Sequence, residues 1–318
     1  MKTKEVLTKE SCMMRDVFNN TLVKIAGEDS RIVFLDADLM SSSGAKTFKN
    51  AFPERFFNVG IAEANMVGIA AGLARAGKVP FMHSFGPFAT RRCFDQIFLS
   101  LGYNRLSANV IGTDPGVTAA HNGGTHMPFE DMGLMMLIPE SVVIEPTDSH
   151  VLEAIIPQLI KLPGVHYIRL FRKNAIGIYE GGEFTVGKGV EVRPGTDVSI
   201  ISSGIMVEES VKARDILAAE GVSARVVDMF TWKPIDRELI ARCAVETGAI
   251  VTAENHNVSG GLGNAVAAVV AETKPVPMER IGVQDRFGQV GEEPFLREQY
   301  QLTAKDIVAA VKKAIARK

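Results

Sequence analysis

Val59-Gly60-Ile61-Ala62-Glu63-Ala64-Asn65-Met66-Val67-Gly68-Ile69-Ala70-Ala71-Gly72-Leu73 places one carboxylate at the mouth of a helix built almost wholly from Ala, Gly and aliphatic side chains. Gly68 and Gly72 fall four apart on one face of that helix, so a second helix or a ligand can approach the backbone closely. Gly77 is positioned to end it. An acid in such apolar company is neutralised, paired or used. Taken alone, Glu63 needs no explanation beyond the favourable field at a helix N-terminus. Its neighbours along the chain decide the matter.

Working outward, short apolar runs alternate with amphipathic stretches. Residues 31–35 read as a strand ending in Asp36-Ala37-Asp38, and 80–82, 109–112, 142–145 and 166–170 read as further strands. Residues 88–101 and 149–162 carry apolar side chains at helical spacing. Residues 180–197 then gather Gly181, Gly182, Gly187, Gly189, Pro194 and Gly195 among charges, and read as a linker or hairpin. A second series follows, with strands at 198–202, 224–227, 249–253 and 278–282 and helices at 207–220, 237–246 and 262–272. Thr303 with Asp306 three residues on predicts the cap of a last helix. The pattern predicts two doubly wound α/β domains with mostly parallel sheets, residues 1–190 and 191–318.

Composition narrows the function. With 46% hydrophobic and 23% charged residues the chain is of ordinary globular make-up. A net charge of -2 argues against a nucleic-acid surface or an anionic-membrane binder. Cys12, Cys93 and Cys243 are scattered, with neither disulfide-framework nor metal-ligand spacing. The first residues carry no leader-like apolar run, and no stretch is long and apolar enough to span a membrane. A cytoplasmic protein is expected, with no resident metal on its own side chains.

Three clusters can carry chemistry. Met82-His83-Ser84-Phe85-Gly86-Pro87-Phe88-Ala89-Thr90-Arg91-Arg92 follows a strand, so its aromatics belong at the carboxyl edge of the sheet, where open α/β folds bind ligands. Phe85 and Phe88 either form a flat wall for a planar heterocycle or seal the core. The Gly-rich loop from Asp114 to Asp131 offers His121, Asn122 and His126 for hydrogen bonding or proton transfer, while solvated loop histidines would look the same. Arg169-Leu170-Phe171-Arg172-Lys173 closes a strand with cations suited to an anion, or simply carries surface charge.

The order of these clusters is more telling than any one of them. IAEANMVGIAAGLA, FMHSFGPFATRRCFDQI, GGTHMPFEDMGLMMLIP and IRLFRKN resemble the C-terminal half of transketolase, and GIMVEESVKARDILAAEGVSARVVDMFTWKPID with AENHNVSGGLGNAVA resemble that family's last domain. The resemblance runs from about Lys9 to Lys313. Absent is the Gly-Asp-Gly with its downstream Asn that holds Mg2+ and the diphosphate in that family. The chain thus looks like the second subunit of a split transketolase, whose partner is an N-terminal-half subunit carrying the GDG motif. An α2β2 assembly and sugar phosphate substrates would follow.

The resemblance also implies roles. The cofactor would be thiamine diphosphate with Mg2+, the diphosphate and metal being held mainly by the partner. Glu63 matches the acid that protonates the aminopyrimidine ring, Phe85 and Phe88 the aromatics that enclose it, and Ile61 a further cofactor contact. His126 matches a histidine on the donor ketose and Arg172 an arginine on the sugar phosphate; His121 is expected to serve as a second proton carrier. Asp114 and His121-Asn122 depart from the family pattern on the substrate side, and Arg91 stands where a third aromatic is common. Two other readings stay open: a 2-oxo-acid dehydrogenase beta subunit or deoxyxylulose-phosphate-synthase-like enzyme, and a non-catalytic partner subunit.

Overall fold

The computed structural model describes residues 1–318. Its larger sheet has seven strands in the spatial order Thr231–Lys233, Val142–Ile144, Val165–Leu170, Ala108–Thr113, Val79–Phe85, Ile32–Asp36 and Phe56–Asn58. Every pair is parallel except the one made by Thr231–Lys233. The central strands are buried along their whole length, as sheets covered on both faces require. The second sheet runs Met278–Val283, Ile250–Asn257, Val198–Ser202, Ala224–Asp228 and Val190–Arg193, parallel but for the last. Lys2–Lys9 pairs antiparallel with Ile176–Gly181 in a small separate ribbon. The chain is α/β with mostly parallel sheets.

Three stretches differ from the sequence reading. Residues 180–197 are more than a linker: Ile176–Gly181 is a strand, and Val190–Arg193 borders the second sheet with Val190 and Val192 turned inward. That two-residue alternation is hidden among glycines. Residues 88–101 do not form one helix. The short helix Gly86–Ala89 stops at Thr90, whose hydroxyl donates to Gly86 O at 2.7 Å; a 3-10 turn over Arg91–Cys93 follows, and Phe94–Gln96 runs into a π-helical turn over Ile97–Tyr103. Finally, Thr231–Lys233 leaves the second series to join the first sheet beside Val142–Ile144.

That crossing strand ties the two sheets together. Val143, Met132 and Trp232 belong to the same apolar cluster as Ile201, Val227 and Leu239, so the core is continuous from one sheet to the other. Arg169 sits in the same region, fully buried. Its Nε donates to Asp131 at 2.8 Å, one terminal nitrogen to Glu145 at 2.7 Å, and the other to the carbonyls of Pro128 (3.1 Å) and Asn255 (3.0 Å). Burial disfavours the charge on Arg169, and the two carboxylates beside it more than offset that, holding its pKa above the usual arginine value. The expected anion-docking cluster therefore loses Arg169 to the interior.

Candidate active site

Glu63 is the first residue of helix Glu63–Arg75 and is 2% exposed. The strand Val79–Phe85 brings Ser84 beside it, and the Ser84 hydroxyl donates to Glu63 Oε1 at 2.8 Å. Glu63 Oε2 accepts from a terminal nitrogen of Arg92 at 2.9 Å. The same guanidinium lies over the Phe88 ring, 3.8 Å from its centroid. The buried acid is thus paired from one side by a neutral hydroxyl and from the other by a cation that reaches in from solvent.

The two phenylalanines meet at this edge of the sheet, tilted against one another rather than forming one flat wall. Phe85 and Phe88 sit edge to face at 6.4 Å, and the His126 ring meets both, at 5.7 Å and 4.9 Å. The turn that aims them needs Gly86: a Cβ there would come within 2.6 Å of Pro128 Cγ. His126 Nδ1 lies 2.8 Å from the Thr125 hydroxyl, which fixes its ring. Arg172 reaches the far side of the wall, its guanidinium 5.6 Å from the Phe85 centroid.

Arg172 does not stand free. Its Nε donates to Asp114 Oδ1 at 2.6 Å, and Asn122 donates to the other oxygen at 3.4 Å. Asp114 is 1% exposed and takes a left-handed backbone, φ 59°. Burial raises its pKa above the ordinary carboxylate value, and Arg172 only partly offsets that. Beneath this pair His83 is fully enclosed, with Nδ1 3.1 Å from Asp36 and Nε2 3.1 Å from Thr113.

The structure brings Glu63, Phe85, Phe88, His126, Asp114, Asn122 and Arg172 to one edge of the larger sheet. It sets His121 and Ile61 differently. His121 is exposed and faces Glu292 at 3.1 Å, and Ile61 is 76% exposed. Arg91 pairs with Glu130 at 2.6 Å, so Arg92 is the arginine against the aromatic wall. Ser84, Arg92, Asp36 and His83 join the site although local sequence does not single them out. The same holds for Asn255, whose amide accepts from Val117 N (3.0 Å) and donates to Pro115 O (2.9 Å), pinning the histidine loop from the second sheet. Gly116 between them has φ 50°, and a Cβ there would lie 2.2 Å from the Asn255 amide oxygen.

A second cluster, Glu10, Asp148 and His150, gathers possible metal-binding atoms within 4.8 Å of one another. Asp148 is already saturated. One oxygen accepts from His150 N and Val151 N, the other from Ile178 N and Tyr179 N, which makes it a helix cap rather than a ligand.

Fold and site together define a two-sheet α/β protein with a buried acid beside two phenylalanines at one edge of the larger sheet. Residues 10–176 match the family model described as transketolase, pyrimidine binding domain, and residues 187–307 match transketolase, C-terminal domain. The chain belongs to the transketolase family, among thiamine-diphosphate enzymes, and corresponds to the C-terminal-half subunit of a split transketolase. It is 49% identical, over 97% of its length and 96% of the relative's, to the 6-deoxy-6-sulfo-D-fructose transketolase subunit SqwH of a Clostridium species. It is 34% identical, over 85% of its length and 87% of the relative's, to an apulose-4-phosphate transketolase subunit of Phocaeicola vulgatus. A solved structure described as "Split gene transketolase, inactive beta4 tetramer" superposes with a TM-score of 0.91 at 43% identity, covering 97% of this chain and 100% of that one. The 1-deoxy-D-xylulose-5-phosphate synthase of Heliobacterium modesticaldum is also similar, 37% identical, and this chain spans 45% of its length.

Proposed function

We propose that this chain, joined to an N-terminal-half subunit with the Gly-Asp-Gly motif and its downstream Asn, transfers a two-carbon ketol unit from a ketose phosphate to an aldose phosphate. The observation that carries the reading is Glu63, buried beside the Phe85–Phe88 wall in a chain of this family. Residues 1–190 supply the pyrimidine side of the centre and 191–318 brace it, while the partner subunit holds the diphosphate and Mg2+. Thiamine diphosphate supplies the nucleophilic carbon and the electron sink for breaking the donor's carbon–carbon bond.

The residues of this chain then have separate tasks. Glu63 holds the proton shared with a ring nitrogen of the aminopyrimidine, and Phe85 and Phe88 orient that ring and exclude water. Ile61 covers its outer edge. His126 hydrogen-bonds the donor hydroxyls and carries a proton at its free ring nitrogen, with His121 as a second carrier nearer solvent. Arg172, set by Asp114 and Asn122, grips the anionic end of the substrate.

The helix face that carries Gly68 and Gly72 has open space above it, and Ile69 lies exposed beside it. A second copy of this chain fits that face, in keeping with the beta4 assembly of the structural neighbour. An α2β2 enzyme in the cytoplasm, where the three free cysteines are at home, follows from this reading.

A second donor is favoured by one observation. Asp114 already compensates much of the Arg172 charge. A singly charged sulfonate, as in the substrate named for the Clostridium relative, suits such a guanidinium better than a doubly charged phosphate.

The test is to purify the chain alone and with its partner half, add thiamine diphosphate and Mg2+, and offer xylulose 5-phosphate or 6-deoxy-6-sulfofructose with an aldose phosphate. No turnover alone and transfer in the pair is expected, with Glu63→Gln lowering kcat at least ~100-fold, the scale of one positioned acid–base group. Consumption of pyruvate or another 2-oxo acid as the only donor would replace the ketol-transfer reading.

A further inference from the structure

Arg92 holds two positions at once. Its guanidinium carbon lies 3.8 Å from the Phe88 centroid, and its terminal nitrogen donates to Glu63 Oε2 at 2.9 Å. Glu63 Oε1 accepts from Ser84, and Arg92 takes Oε2. A planar heterocycle that stacks on Phe88 and shares a proton with Glu63 would compete with this guanidinium for the ring and for the carboxylate. The guanidinium has donors and no acceptor, and cannot bridge to such a ring while it stays in place.

We propose that Arg92 is a latch on the cofactor-free site, which pairs Glu63 and covers Phe88 until the aminopyrimidine enters, and which must swing into solvent for it to do so. The proposal rests on the reading of Glu63 as the acid that meets the cofactor ring. Three features make the motion possible. The Arg92 side chain is 43% exposed, so water lies beside it to receive the charge. Its neighbour Arg91 is tied to Glu130 and does not compete for the wall. Arg92 also lies in a single 3-10 turn, between a break at Thr90 and a short helix, so no long rigid element fixes it.

The latch has a protective side. Glu63 is 2% exposed, and without a counter-charge its carboxylate would be stranded in the cofactor-free protein. Arg92 therefore stabilises the cofactor-free chain at the expense of entry speed. Once the ring nitrogen partners Glu63, the cation is no longer needed.

The experiment follows uptake of thiamine diphosphate with Mg2+ by the wild-type assembly and by assemblies carrying Arg92→Gln or Arg92→Lys. Stopped-flow circular dichroism gives the association rate, and thermal unfolding is recorded with and without cofactor. Arg92→Gln is expected to speed association about fivefold, the scale of a half-exposed ion pair. It should also lower the melting temperature of the cofactor-free assembly while leaving the loaded one unchanged, with Arg92→Lys intermediate. Association in Arg92→Gln that is unchanged or slower, with wild-type uptake intact, overturns the latch and leaves the cofactor reading standing. A wild-type assembly that takes up no thiamine diphosphate overturns both.

Discussion

At the residue scale the proposed substrate side of the site turns on the pairing of Asp114 with Arg172. Asp114 is buried, so its carboxyl gains a proton at higher pH than an ordinary carboxylate. Each Asp114 that protonates releases Arg172 from a 2.6 Å contact and restores the pull of its guanidinium on a substrate anion. The Michaelis constant for a phosphorylated donor should therefore fall as pH is lowered through the raised Asp114 pKa. Asp114→Asn should remove that dependence and lower KM about tenfold, the effect of one charge-assisted hydrogen bond. Steady-state kinetics across pH for both proteins checks this; a parallel pH profile in the variant would dissociate Asp114 from substrate affinity. The same residues mark what a sequence can say at this scale. Glu63, Phe85, Phe88, His126 and Arg172 were legible as candidates through the order of their clusters and its resemblance to transketolase, since each has a bland reading when taken alone. Ser84 and Arg92 were not, because their roles arise from which atoms meet across strands and turns. Asp36 and His83 meet only through the parallel register of their strands.

Local stiffness depends on caps that act across elements. Asp148 caps helix Ser149–Leu159 through His150 N (3.1 Å) and Val151 N (3.3 Å), and its other oxygen accepts Ile178 N and Tyr179 N (both 2.9 Å) from strand Ile176–Gly181. Asp148→Ala removes the acceptor of four backbone donors, three of them buried, and should cost about 3 kcal/mol, a cap plus buried unpaired N–H groups. Asp148→Asn keeps one acceptor oxygen and should cost less. Urea unfolding of the three proteins measures the order, and a loss below about 1 kcal/mol in the Ala variant would show the donors finding water instead. Most elements were legible in hydrophobic period, including the last helix with its Thr303–Asp306 capping box. Several stretches were not, and two of them show why. Residues 88–101 have helical spacing, but the Thr90 break and the π turn re-aim them around the site. Residues 180–197 have turn composition, yet the partner strands recruit their few alternating valines.

At the scale of the whole molecule a buried polar seam runs between the sheets, invisible to any local pattern because its members lie far apart in the chain. Arg169 joins Asp131 and Glu145 to the Asn255 carbonyl, and Trp232 donates to Ser203, whose hydroxyl meets Glu145. Nearby, Glu254 accepts from Leu262 N and Gly263 N while fully enclosed, and burial pushes its pKa up to about 8. Burial pushes Asp228 up to about 7 and pushes His166 and His256 down to about 4. The signs work in opposition. A carboxyl raised in the folded state adds stability that is complete below its unfolded pKa, roughly 4, and is lost as pH rises through the folded value. The depressed histidines lose stability as pH falls below roughly 6.5, where the unfolded chain takes up their protons. The two trends oppose one another on the acid side, where the raised carboxyls of Asp114 and Glu10 add to the decline, so stability should fall gently from about pH 4.5 to 6.5 and more steeply toward pH 8. Between pH 7 and 8 the decline belongs chiefly to Glu254 and should approach ~1 kcal/mol. Glu254→Gln has no proton to lose, so it should be less stable throughout and should show a flattened slope over that interval. Denaturant unfolding at constant ionic strength, compared at pH 7 and pH 8, measures the two slopes. Equal slopes would mean that Glu254 is already ionised in the folded protein, with the two N–H groups of helix Leu262–Glu272 outweighing its burial.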